Sequence, residues 1–266
     1  FIPPPRESTL VLPDPEPSLQ VSLRQTLSAP PFAWLVARNR LSVSLVDLSE
    51  PCRLRYAAVH GDVMRYAASL PKIAILLTVF DQIDQGVLEY TPDLRHQMER
   101  MIRRSSNRDS TALIRLVGFE AIATVLRDPR YQLYDEARQG GLWVGKDYGG
   151  GLGRWRRDPL HNISHGATAR QVARFFAMLN RGELISPWAS AEMKDILGKT
   201  GILHKFVQGL LQRPGAVIFR KSGTWQQFHA DAALVERAGK TYVAVALLES
   251  ANADGILARL IVKLDD

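Results

Sequence analysis

Three short stretches hold residues whose types and spacing suit acyl transfer to a serine. Ser69 and Lys72, in "SLPKIAIL", stand three apart at the start of an apolar run. At that spacing a helix sets both side chains on one face, one turn apart. The dipole and free N–H groups of the helix start favour a developing negative charge at the serine. A lysine accepts a serine's proton only when burial or a neighbouring charge depresses its pKa. Ser105 and Asn107, in "RRSSNRDS", add a second hydroxyl and an amide at a helix end, where both types also serve as plain caps. Lys221-Ser222-Gly223 closes the β-rich run "GAVIFRKSG" and offers a second lysine on a strand. Each pattern alone arises by chance in a chain of this length. All three in this order, each at the edge of an element, are harder to dismiss.

A second tripeptide competes with the third stretch. Lys199-Thr200-Gly201, in "ILGKTGIL", follows a helix, where glycine is a C-cap signal. It is not the end of a phosphate-binding loop, because Met193 occupies the position of the first glycine. A lysine on an edge strand faces a groove together with backbone N–H groups, so Lys221 is the expected site residue.

The elements that must position these residues are legible in outline. The opening "FIPPPRESTLVLPDPEPS" has six prolines and reads as an extended arm over residues 1–24. "LSVSLVDLS" and "RLRYAAVHG" read as a hairpin from Leu41 to Gly61. Helices are predicted from Ser69-Leu70-Pro71, from Thr91 with Pro92 at its first position, over "DSTALIRLVG" and "FEAIATVLRD", after Thr168, and from Ser186. Between them, residues 138–166 are glycine-rich and without period, an unusually long loop. The tail predicts a strand, a hairpin turning at Arg237-Ala238-Gly239-Lys240, and a terminal helix capped by Asn252. Strands at both ends around a helical middle predict an α/β (α+β) chain. One antiparallel sheet is built by 25–64 plus 200–266 and flanked by helices, and an inserted all-helical subdomain spans 65–199.

Composition narrows the function classes. The 266 residues are 46% hydrophobic and 23% charged, ordinary for a globular chain, and no apolar run is long enough to span a bilayer. Cys52 is the single cysteine, so an internal disulfide and a cysteine metal site are excluded; no metal or cofactor is expected. The net charge of +7 suits an anionic partner, but no nucleic-acid-binding signature accompanies Arg103, Arg104, Arg108, Arg154, Arg156 and Arg157, which read as a solvated basic face. The first residue is Phe1 rather than methionine, which suits removal of a targeting segment.

Taken together, "SLPKIAIL", "RRSSNRDSTALI", "TARQVARFFAMLNRGELISPWASAEM" and "RKSGTW" with "HADAALVE" resemble the penicillin-recognising serine hydrolases, and among them the class A β-lactamases, from about Leu41 onward. The resemblance implies a β-lactamase-like fold and a covalent acyl-enzyme on Ser69. It makes Lys72 the proton acceptor, Ser105 the proton relay to the leaving group and Lys221 the support of that relay. Asn107 would bind a substrate amide, and the Ser222 or Thr224 hydroxyl a substrate carboxylate. The backbone N–H groups of Ser69 and Thr224 would form the oxyanion hole. It further implies a monomer, periplasmic or secreted, acting on a β-lactam, peptide amide or ester that bears a carboxylate.

The departures are as informative. Ser106 stands in the middle of the second motif where the family has Asp, and Ser222 replaces Thr in the third. The family's Glu-x-x-x-Asn stretch, whose glutamate activates the deacylating water, has no counterpart. Its nearest echo is "DPLHN", which makes Asp158 the candidate base ahead of Glu136 and Asp147. The segment "GGLWVGKDYGGGLGRWRR" reads as an insertion. Two functions stay open: a hydrolase that turns over, and a penicillin-binding sensor that acylates and stalls.

Overall fold

The computed structural model describes residues 10–50, 52–150 and 156–266. Residues 1–9 of the proline-rich opening, Pro51 after the first strand, and Arg154 with the centre of the glycine-rich segment lie outside them. Two helices come first, α1 (Pro17–Leu27) and α2 (Phe32–Ala37), then strands β1 (Leu41–Glu50), β2 (Arg53–Val59) and the short β3 (Arg65–Tyr66). A helical stretch follows: α3 (Lys72–Asp84), α4 (Pro92–Arg103), α5 (Asn107–Val117) and α6 (Phe119–Arg127). Short strands β4 (Tyr134–Asp135), β5 (Gly140–Gly141), β6 (Trp143–Val144) and β7 (His165–Ala167) lead to α7 (Ala169–Arg181), α8 (Pro187–Leu197) and α9 (Phe206–Leu210). The chain ends with β8 (Val217–Trp225), β9 (Phe228–Arg237), β10 (Lys240–Glu249) and α10 (Ala253–Asp265).

The main sheet has the order β2-β1-β10-β9-β8 and is antiparallel where β1 pairs with both β2 and β10, so both ends of the chain build it as expected. Its strands alternate between two cores. Val46, Ala232, Leu234, Val243 and Val245 face α3 and α7, while Val43, Leu45, Val235, Ala244 and Ala246 face α9 and α10. Helix α3 is buried from Lys72 to Asp81 and runs through the centre of the first core. Strand β8 is left at the open edge, carrying Lys221 toward the helical side.

Two expectations need correction. Residues 17–24 are helical, not extended. Pro17 takes the first helical position, where a missing N–H costs nothing, and the Glu16 carboxylate accepts the N–H of Leu19 at 2.7 Å. The segment 138–166 is not one structureless loop but holds β5, β6 and the start of β7; strands of two or three residues leave no period to read. Two helix starts also differ in detail. Helix α3 begins at Lys72, with Ser69 to Pro71 forming the turn before it, and Asn252 precedes α10 without a side-chain cap bond.

Candidate active site

Lys72 is wholly buried at the start of α3, and its Nζ donates to Ser105 O at 2.6 Å, Asn107 Oδ1 at 2.9 Å and Ser105 Oγ at 3.4 Å. Burial is the larger cause that pulls its pKa down to about 7, and the Asp109 carboxylate pulls weakly the other way. Lys221 reaches the same hydroxyl from the sheet, with Nζ 3.0 Å from Ser105 Oγ and 2.7 Å from Ser222 O. Its pKa is also pushed well down, by burial first and then by the charge of Lys72. Two amines converge on one serine.

Local structure explains why Ser105 stands there. Helix α4 ends at Arg103, and Ser105 takes a left-handed backbone at φ 54°, a conformation that turns the chain sharply. Ser106 then caps α5: its Oγ accepts the N–H of Asp109 at 3.2 Å and donates to Asp109 Oδ2 at 2.6 Å. Asn107 therefore occupies the first helical position and turns its amide oxygen to Lys72.

Ser69 is brought to the sheet edge by a glycine. A Cβ on Gly223 would lie 2.2 Å from Ala67 O and 2.7 Å from Ser69 N, so only glycine lets β8 approach the turn that carries Ser69. Gly223→Ala is expected to force β8 away, destabilising the protein by about 1–3 kcal/mol. Thermal melting of the variant checks this; an unchanged melting temperature would refute the close approach.

The remaining predicted residues are distributed unevenly. Ser222 is buried, and its carbonyl accepts from Lys221. Thr224 Oγ1 accepts from a residue the sequence did not single out: Lys205, fully buried, donates to Thr224 Oγ1 and to Gly223 O, both at 2.7 Å. Nothing marked it beforehand except a lysine amid the apolar residues of "ILHKF". Lys199, by contrast, is 77% exposed and 3.6 Å from Asp195, while the Lys221 side chain is buried. Tyr66, Trp225 and Phe228 edge the end of β8, with Tyr66 5.4 Å from the half-exposed Trp225 and 5.5 Å from Phe228 between ring centres.

None of the three acids weighed from sequence is free. Asp158 accepts the Tyr134 hydroxyl and the N–H groups of Leu160 and His161, which fold its own turn. Asp147 pairs with Arg115 at 3.0 Å through Oδ2, its buried Oδ1 being without a hydrogen-bond partner among the described residues, and Glu136 lies near Arg127 on an exposed turn. Among the described residues, no carboxylate is hydrogen-bonded to Lys72. An aromatic ring covers it instead: Lys72 Nζ lies 4.5 Å from the centre of Tyr148, whose other neighbour is the His165 ring at 4.2 Å. Burial raises the Tyr148 phenol well above its ordinary pKa and lowers His165 to about 4, so both are neutral near pH 7. Tyr148, within the segment read as an insertion, is thus tied to α5, where Thr111 Oγ1 accepts the Tyr148 N–H and donates to its carbonyl.

Solved structures share this fold along nearly the whole chain. PBP-A is 21% identical over 96% of this chain and 97% of its own, with a TM-score of 0.70. A β-lactamase from Sphaerobacter thermophilus is 16% identical over 92% and 94%, with a TM-score of 0.69. An ancestral class A β-lactamase is 19% identical over 88% and 96%, with the same score. No curated protein sequence matches the chain. The model of the beta-lactamase enzyme family does match, over residues 89–264, more than half of the chain. The chain therefore belongs to that family, as a serine hydrolase with the fold of the class A β-lactamases.

Proposed function

We propose that the chain is a Ser/Lys acyl-transfer enzyme that forms a covalent ester on Ser69 and releases it slowly. The observation that carries this reading is the convergence of Lys72 and Lys221 on Ser105 Oγ beside the turn that holds Ser69. With the substrate carbonyl carbon against Ser69, neutral Lys72 takes the Oγ proton as the O–C bond forms. The oxyanion is held by the N–H groups of Ser69 and Thr224. Ser105, polarised by both amines, passes a proton to the leaving nitrogen or oxygen as its bond to carbon breaks. Lys221 draws the substrate carboxylate toward Ser222 and Thr224, and Asn107 holds the substrate amide. The substrate is a β-lactam, peptide amide or ester bearing that carboxylate, met by a monomer outside the cytoplasm. No described helix is long and apolar enough to cross a membrane.

The second half-reaction needs a base that deprotonates water at the ester. Asp158, Asp147 and Glu136 are engaged elsewhere, and the neutral Tyr148 ring covers Lys72. This favours accumulation of the acyl-enzyme over rapid turnover. A variant of PBP-A has been solved as an acyl-enzyme with penicillin G, which supports an ester of this kind on this fold.

Incubation with penicillin G, a cephalosporin and p-nitrophenyl esters tests the reading, with intact mass and product release followed together. The expected result is a stoichiometric mass gain located at Ser69, absent in Ser69→Ala, and product release far slower than labelling. Product release that keeps pace with labelling would refute slow deacylation. Absence of any Ser69 adduct would refute the reading as a whole.

A further inference from the structure

Lys205 is the one buried lysine beside β8 that the proposed mechanism leaves unused. It precedes α9 with φ 57° and ψ −121°, a positive-φ conformation outside the left-handed helical well, which a lysine holds only under constraint. The constraint is visible. The next residue, Phe206, donates its N–H to Asp231 Oδ2 at 3.0 Å, and Asp231 is itself clamped by Arg220 at 2.7 and 2.8 Å in a buried pair. This lattice aims the Lys205 ammonium at one peptide. It donates to Gly223 O at 2.7 Å and to Thr224 Oγ1 at 2.7 Å, with Ala230 O at 3.5 Å.

The direction of that peptide gives the contact its meaning. Strand β8 turns into β9 through Gln226 and Gln227, with Trp225 opposite Phe228. In a two-residue hairpin the pair flanking the turn exchanges both ladder bonds, and bonded and unbonded pairs then alternate. Gly223 opposite Ala230 is thus a bonded pair, and the Gly223 carbonyl points to β9. The N–H of the same peptide belongs to Thr224 and points the opposite way, out of the open sheet edge. A Cβ at Gly223 would stand on the face of this strand 2.7 Å from Ser69 N, so the Ser69 backbone nitrogen lies beside the peptide that carries the Thr224 N–H.

We propose that Lys205 is a positioning residue for acyl transfer: its ammonium on the Gly223 carbonyl strengthens the Thr224 N–H as an oxyanion donor, and its bond to Thr224 Oγ1 leaves that hydroxyl's proton to the substrate. A donor on a carbonyl polarises the N–H of the same amide, and the effect is largest where water is excluded. Burial draws Lys205 down to about 8, so the charge is largely retained at neutral pH. The inference rests on acylation of Ser69, and it adds a residue outside the three sequence motifs.

The test is the ester carbonyl stretch of the acyl-enzyme, measured by isotope-edited infrared spectroscopy with penicillin G labelled at the lactam carbonyl, for wild type, Lys205→Met, Lys205→Gln and Lys205→Arg. Expected are a shift to higher wavenumber and an acylation rate about tenfold lower in the two neutral variants, with recovery of both in Lys205→Arg. The glutamine variant keeps a donor and much of the packing, so it carries the comparison if the methionine variant fails to fold. A stretch and a rate unchanged in either neutral variant would overturn the proposal. Failure of wild type to form any ester would instead overturn the reading of Ser69 on which it depends.

Discussion

Lys72→Met is expected to slow acylation of Ser69 on the order of 10⁴-fold while leaving the protein folded. The size follows from what the amine is asked to do. A serine hydroxyl is a weak nucleophile until its proton has somewhere to go, and Lys72 is the base placed one turn from Ser69. Methionine fills much of the same buried volume without a basic nitrogen, so packing survives and the chemistry does not. The pH profile gives an independent check. The competent form of Lys72 is the neutral amine, and its folded pKa lies near 7. Acylation by wild type should therefore rise with pH through about 7 and level off above it. In Lys72→Met that limb should vanish from the residual rate. Stopped-flow labelling with a chromogenic β-lactam between pH 5.5 and 8.5 measures both. A limb that persists in the variant would assign the proton transfer to another group.

Much of this arrangement was legible in sequence because it is local. Pro71 before the run "KIAILLTVF", Thr91 before Pro92, Thr168 and Ser186 all announce helix starts by short-range chemistry, and helices stand there. The near-continuous apolar runs of β9 and β10 likewise suit a sheet buried on both faces. What escaped was long-range. Lys205 matters because a turn before α9 delivers it to a carbonyl 18 residues on, and nothing in "ILHKF" reports that. Tyr148 belongs to a glycine-rich stretch without period, and only the three-dimensional path of that stretch over α5 sets its ring on Lys72. Asp158 shows the converse error. The echo "DPLHN" was a sound local match, but the carboxylate is consumed by Tyr134 and by the turn it caps. A carboxylate that already accepts three donors is a structural anchor.

The two lysine tripeptides lead to the second large effect. Lys221→Ala is expected to reduce acylation by carboxylate-bearing β-lactams on the order of 10²-fold, whereas Lys199→Ala should stay within about twofold of wild type. By letters alone Lys199-Thr200-Gly201 is the nearer match to the family motif, yet its lysine is solvated and borders only Asp195. Lys221 is buried at the sheet edge with its ammonium on Ser105 Oγ. In the free protein its pKa is driven down by burial and by Lys72, so the site holds less positive charge than two lysines suggest. A substrate carboxylate that enters beside Lys221 changes that balance, because an opposite charge favours the protonated amine. Binding should therefore draw a proton into the site, and removing Lys221 should abolish that uptake. Calorimetric titration of Ser69→Ala with a carboxylate-bearing penicillin, in buffers of different ionisation enthalpy, measures it directly. Uptake by Ser69→Ala equal to that of Ser69→Ala combined with Lys221→Ala would rule out Lys221 as the group that answers the carboxylate. Where uptake is lost together with the acylation rate, the lysine that reads the substrate and the lysine that supports Ser105 are one residue, on a strand whose close approach to the Ser69 turn Gly223 permits.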